Sequence, residues 1–243
     1  MKNKKILYLG FILALSFSIP FNANAMHIAE GYLSLNWSIF YFILSAPFIY
    51  LSVIAIRKVV KKNSELKMLL GLIGAYVFML SALKLPSVTG SSSHPTGTGL
   101  GAIVFGPIVM VVISLVVLLF QALLLAHGGI TTLGANVVSM GIVGPFVAYG
   151  IFRLFKNKNK TLAVFLAATF GDLATYIVTS GQLALAYPSG NGGVLTSFIK
   201  FAGIFAITQI PLAIVEGLVS VMIYEFIMKN CKSELVDLEE ALM

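Results

Sequence analysis

Apolar runs separated by short polar or basic stretches dominate the chain. The first, residues 6–21, follows Lys2, Lys4 and Lys5 and leads to the small-residue pattern Ala23-Asn24-Ala25. A charged start, an apolar middle and a small-residue end are the three parts of a secretory signal. Residues 1–25 are therefore predicted to be removed by a cut after Ala25, leaving 26–243 as a single integral membrane domain. An uncleaved first helix is the alternative, and the short run interrupted by Pro20 argues against it. Longer runs follow at residues 36–56, 68–83, 100–126, 137–152, 161–180 and 194–228. A hydrocarbon core about 30 Å thick needs roughly 20 apolar residues per helix, so the pattern predicts an all-α, polytopic transmembrane bundle of about six or seven spans.

Two interruptions change that picture. Residues 87–99 are rich in Ser, Thr and Gly and contain His94-Pro95, which breaks helix. Irregular backbone between apolar spans is tolerated where it is buried in protein or lines a polar cavity, so this loop is read as inserted into the bundle. The second interruption, Gly106-Pro107, splits the run 100–126. If that run crossed once, the next span could not also end at a cytoplasmic basic cluster. A half-helix followed by a fuller helix restores the parity. Residues 26–35 are too short and polar to span and are read as a plug, while Pro211 predicts a kink in the last run. The acidic tail through Glu234, Asp237, Glu239 and Glu240 reads as a frayed amphipathic end.

Composition agrees: 58% of residues are hydrophobic and 10% charged, against roughly 25% charged in an average soluble domain. The net charge of +7 does not imply nucleic acid. Its basic residues sit in short loops, at Arg57, Lys58, Lys61 and Lys62, at Arg153, Lys156, Lys158 and Lys160, and at Lys229 and Lys232. These positions are cytoplasmic by the positive-inside rule, which puts Met26 outside and the C-terminus inside a multi-pass plasma-membrane protein. A lone Cys231 excludes an internal disulfide.

The cut after Ala25 would create chemistry. The free amine of Met26, the deprotonated backbone nitrogen of His27 and the His27 ring can close fused chelate rings around one ion, with three nitrogens near a plane. One further imidazole completes a tetragonal site suited to Ni(II) or Cu(II) and accessible to Co(II). His94 is the candidate, the other reading being an incidental histidine on an exposed loop. His127, followed by Gly128-Gly129, could be a fifth ligand, a supporting donor or a loop anchor, and the last two are favoured. Asp172 and Glu216 lie in mid-span, where a charge needs a partner or a polar cavity. They are read as holding the His94 loop or orienting its ligands, or else as pairing with Lys84 or backbone donors. Ser93, Glu30 and Asn136 join His127 and Asp172 as expected supports. No organic cofactor is implied.

Several separated motifs carry a family resemblance. Met26-His27-Ile28-Ala29-Glu30-Gly31, the stretch from Leu85 through Ser91-Ser92-Ser93-His94-Pro95-Thr96-Gly97, and His127-Gly128-Gly129-Ile130-Thr131-Thr132-Leu133-Gly134-Ala135-Asn136 resemble the CbiM family, the substrate-binding membrane components of cobalt energy-coupling-factor transporters. Gly171-Asp172-Leu173-Ala174-Thr175-Tyr176 and Thr179-Ser180-Gly181-Gln182 fit the same family, with Ala29 replacing a common methionine. The resemblance implies a helical bundle that holds Co(II) through the processed amino terminus, His27 and His94, and that supplies cobalamin biosynthesis. It also implies a transmembrane coupling protein, ATP-binding cassette ATPases and a small accessory membrane protein as partners. The chain carries no Gly-x-x-x-x-Gly-Lys-Ser/Thr loop, so ATP hydrolysis belongs to other subunits. A nickel-specific component of the same kind is the close alternative. An intramembrane metalloenzyme would need an open coordination position, and a passive channel would not chelate its ion tightly.

Overall fold

In a computed structural model, residues 24–25, 27–87 and 91–242 are described. The predicted signal, apart from Asn24 and Ala25, lies outside the described residues, and so does Met26. Helix α1 spans Leu35–Lys62, α2 Leu66–Ala82, α3 Thr98–Phe105, α4 Pro107–Leu125, α5 Leu133–Phe155, α6 Lys160–Ala186, α7 Gly193–Asn230 and α8 Lys232–Leu242. Five of these, α1, α4, α5, α6 and α7, are long and apolar enough to cross a membrane, and α2 is a shorter apolar helix. The chain is a membrane protein.

The break in the run 100–126 falls at Gly106, whose φ of 83° is open to glycine at little cost. Pro107 then starts α4, where a missing N–H leaves no hydrogen bond unmade. All eight residues of α3 are buried. His94 precedes α3 and His127 follows α4, yet the two rings meet with centroids 4.9 Å apart. The loop and α3 therefore leave one end of the bundle together and α4 returns to that end, the half-helix followed by a fuller helix that the sequence called for.

Helix α5 opens with an α-helical turn, Leu133–Asn136, and continues through a π-helical stretch, Val137–Val143, before returning to α-helix. Helix α7 continues through Pro211 as one element of 38 residues, about 57 Å at 1.5 Å per residue. Its main neighbour is α6. The C-terminal tail, expected to fray, instead forms α8. There Leu238 is buried and Asp237 accepts a 2.6 Å hydrogen bond from the Asn63 side chain between α1 and α2. A small sheet of order β1-β3-β2 joins Asn24–Ala25, Ser91–Ser93 and Leu85–Pro86; β1 runs parallel to β3, and β2 antiparallel.

Candidate metal centre

Three backbone segments of different origin meet at one end of the bundle. Residues 27–31 precede α1, the His94 loop follows α2, and the turn after α4 carries His127. Each brings one imidazole, and the three ring centroids form a near-equilateral triangle of 4.6, 4.8 and 4.9 Å. One ligand atom from each ring lies within 4.8 Å of the others. All three side chains are buried.

The segment carrying His27 is fixed by the turn after α4 and the start of α5. Asn136 Oδ1 accepts the Ile28 N–H at 2.9 Å, and Asn136 Nδ2 donates to the Ile28 carbonyl at 3.1 Å. Thr132 Oγ1 donates to that same carbonyl at 2.6 Å. The Glu30 carboxylate accepts from Thr131 N at 3.1 Å and from Thr131 Oγ1 at 2.5 Å, and Gly31 N donates back to Thr131 Oγ1 at 3.3 Å. Such close contact requires glycine at 129, where a Cβ would lie 2.5 Å from Glu30 Cα.

The His94 loop is held from α7 and α6. Glu216, buried, accepts from Thr96 N at 2.5 Å and from Gly97 N at 2.9 Å. Gln209 Nε2 donates to the His94 carbonyl at 3.1 Å and to Asp172 Oδ2 at 2.6 Å. Ser93 Oγ and Thr208 Oγ1 share a hydrogen bond at 2.7 Å, and Thr208 Oγ1 donates to Ser87 Oγ at 2.7 Å. Both membrane acids thus meet protein donors. Lys84, offered in the sequence as their possible partner, donates to the Leu125 carbonyl at 3.2 Å.

The imidazoles are poised to donate electrons. His94 Nδ1 faces the Pro95 carbonyl at 3.0 Å; a carbonyl only accepts, so Nδ1 holds the proton and Nε2 keeps its lone pair. That Nε2 has no hydrogen-bond partner, and neither do His27 Nδ1 and Nε2 or His127 Nε2. Buried nitrogens left unpartnered cost free energy, and a cation held between them recovers it. The rings lie outside the helices that cross the membrane, and each resists protonation. Burial lowers His27 most, followed by the charges of His94 and Lys84, with the Gln121 side chain opposing. Burial brings His94 to about 4, with the Pro95 hydrogen bond opposing and Lys84 adding a little. His127 is lowered by burial and then by His27, His94 and Lys84. Neutral imidazoles are the metal-binding form.

The structure therefore gathers His27, His94 and His127, places Glu30 and Asn136 behind His27, and places Ser93 and Asp172 behind His94. Sequence reasoning passed over Gln209, Thr132 and Gln121. A glutamine inside the apolar stretches that became α4 and α7 was the available signal.

The CbiM family model, described as the cobalt uptake substrate-specific transmembrane region, matches residues 27–234. The chain is 60% identical over 232 residues to "Cobalt transport protein CbiM" of Clostridium tetani, covering 96% of each. It is 57% identical over 238 residues to the protein of that name from Acetoanaerobium sticklandii, covering 98% of this chain and 99% of that one. Among solved structures, a crystal structure of a transition metal transporter aligns with TM-score 0.71 at 27% identity, covering 84% of this chain and 92% of that chain. A truncated transition metal transporter aligns with TM-score 0.69 at 28% identity, covering 84% and 99%. With the family model spanning nearly all of the described bundle, this chain belongs to the CbiM family of cobalt uptake substrate-specific transmembrane regions.

Proposed function

We propose that this chain captures Co(II) at the outer face of the plasma membrane as the substrate-binding component of an ATP-driven energy-coupling-factor importer. The observation that carries this reading is the triangle of buried imidazoles at His27, His94 and His127, each with at least one ring nitrogen left unpartnered. Cleavage after Ala25 frees the Met26 amine. That amine, the His27 backbone nitrogen, the His27 ring and His94 Nε2 then hold the ion, and protons leave the amine and the amide as it binds. Asn136, Thr132 and Glu30 place the chelating segment, while Gln209, Asp172, Ser93 and Glu216 place the His94 loop.

The basic ends of α1, α5 and α7 support a cytoplasmic C-terminus and an outward-facing site. A transmembrane coupling protein, ATP-binding cassette ATPases and a small accessory membrane protein complete the importer, since the chain lacks a phosphate-binding loop of its own. The ion supplies cobalamin biosynthesis. Ni(II) is the second reading, because a set of four nitrogens suits it well.

The test has two parts. The intact mass of membrane-purified protein should correspond to residues 26–243; a mass retaining residues 1–25 would remove the amine ligand. Cobalt uptake in cells carrying the partner subunits should be abolished by His27→Ala or His94→Ala with the protein still in the membrane. Wild-type uptake in either variant overturns the site.

A further inference from the structure

We propose that Asp172 and Glu216 form an intramembrane proton site, in which Asp172 Oδ1 carries one proton and Glu216 is the carboxylate. Neither residue belongs to the histidine triangle. Asp172 lies on α6 and Glu216 on α7, both buried in mid-span. Two like charges side by side away from water cannot both persist, so such a pair must take up a proton, a metal cation or a cationic side chain. Among the described residues, the groups acting most strongly on the two carboxyls are each other, Thr96, Gly97 and Gln209, and none is a cation. Tyr76 of α2, the other titratable group facing Glu216, is a phenol hydrogen-bonded to Ser220 at 3.0 Å.

The donors are shared unequally. Glu216 accepts the Thr96 and Gly97 N–H groups, and it accepts the Thr96 hydroxyl at 3.2 Å on Oε1 and 3.3 Å on Oε2. Backbone donors of this kind suit an ionised carboxylate. Asp172 accepts one hydrogen bond, from Gln209 Nε2 to Oδ2, and its buried Oδ1 meets no donor. Gln209 has the same surplus. Its Nε2 is engaged by Asp172 and by the His94 carbonyl, while its buried Oε1 has no partner. An ionised Asp172 would thus set two orphaned acceptors side by side with nothing to donate to either. A proton on Oδ1 turns one of them into a donor. The contact between the carboxyls asks for the same proton, since two carboxylates can only accept and a side-chain hydrogen bond joins Asp172 to Glu216. One negative charge rather than two then remains at membrane depth, on the carboxyl that has the donors to hold it.

The chain has two aspartates, Asp172 and Asp237, and the second, half-buried on α8, serves as an internal reference. Full-length, metal-free protein in detergent, labelled with carbon-13 at the aspartate side-chain carboxyl, should give two NMR signals at pH 7. One should lie at the position of a carboxylate and the other upfield, at that of a carboxylic acid. Asp172→Asn should remove the acid signal. If that variant does not fold, Asp237→Asn makes the assignment, and the surviving signal must be the acid one. Two carboxylate signals overturn the proposal, because they place the proton on Glu216 or leave Asp172 ionised beside a water. Added sodium or potassium should leave the acid signal where it is; its move to the carboxylate position would make this an alkali-cation site and overturn the proton assignment.

Discussion

Asn136 binds both polar groups of the Ile28 backbone, accepting its N–H at 2.9 Å and donating to its carbonyl at 3.1 Å, across 108 residues of sequence. One amide side chain thereby fixes the rotation of the segment that presents His27. In Asn136→Ala the Ile28 carbonyl keeps Thr132 Oγ1, whereas the N–H is left buried and unpaired. The expected cost is about 1–3 kcal/mol, read as a lower unfolding temperature in detergent, with weaker cobalt binding. Unchanged binding and stability would show that Thr132 alone holds the segment.

Gly129→Ala should be far more damaging than its size suggests. The new Cβ would lie 2.5 Å from Glu30 Cα and 2.6 Å from Glu30 N, and backbone cannot move aside as a side chain can. Cobalt binding should be lost, whereas Gly181→Ala, whose Cβ meets nothing within 4 Å, should bind as the parent does. Isothermal titration of the two variants makes the comparison.

Glu216→Gln preserves shape and removes one of two acceptors. The carboxylate takes both the Thr96 and the Gly97 N–H, and an amide would present a donor to one of them. The loop should loosen, with a loss of about 1–3 kcal/mol in stability and cobalt affinity reduced. Limited proteolysis within residues 91–97 measures it, and a protease-resistant loop would refute the role.

Acid should destabilise the metal-free protein. The three histidines have folded values depressed below 6.5, so the unfolded chain binds more protons and stability falls as pH drops through 6.5. For His94 the loss continues down to about 4. Glu30 acts later and in the same direction. Thr131 hydrogen bonds lower it below its usual 4.5, so its contribution is present above that value and lost below it. Unfolding temperatures between pH 7.5 and 5 should decline in the parent and decline less in His94→Ala. Equal slopes would show that His94 does not titrate with unfolding.

Much of this architecture was legible because membranes write it locally. Apolar runs give the helices, and Gly106-Pro107 marks the break that turns α3 into α4. The polar loop around His94 and the plug at His27 stood out for the same reason, since such residues are costly between apolar spans. What stayed hidden depends on contacts between distant residues. The position of His127 follows from where α4 returns, and Gln209 reaches His94 from α7, 115 residues away. No periodicity encodes either meeting. The tail was misread because its anchor, Asn63 to Asp237, spans 174 residues.

Helix α7 touches the His94 loop at Thr208, Gln209 and Glu216, three points along a single rod that extends to Asn230. From Glu216 to Asn230 that rod runs on for about 21 Å, well past the loop it holds. Beyond that hold the rod stays packed, with Ser220, Tyr224 and Ile227 buried and Ser220 bonded to the Tyr76 hydroxyl, and it ends beside the basic Lys229. The Ser93-to-Gly97 backbone, and with it the His94 ring, takes its position from this one helix. The loop that presents one imidazole of the triangle and the opposite end of the bundle thus belong to a single continuous element.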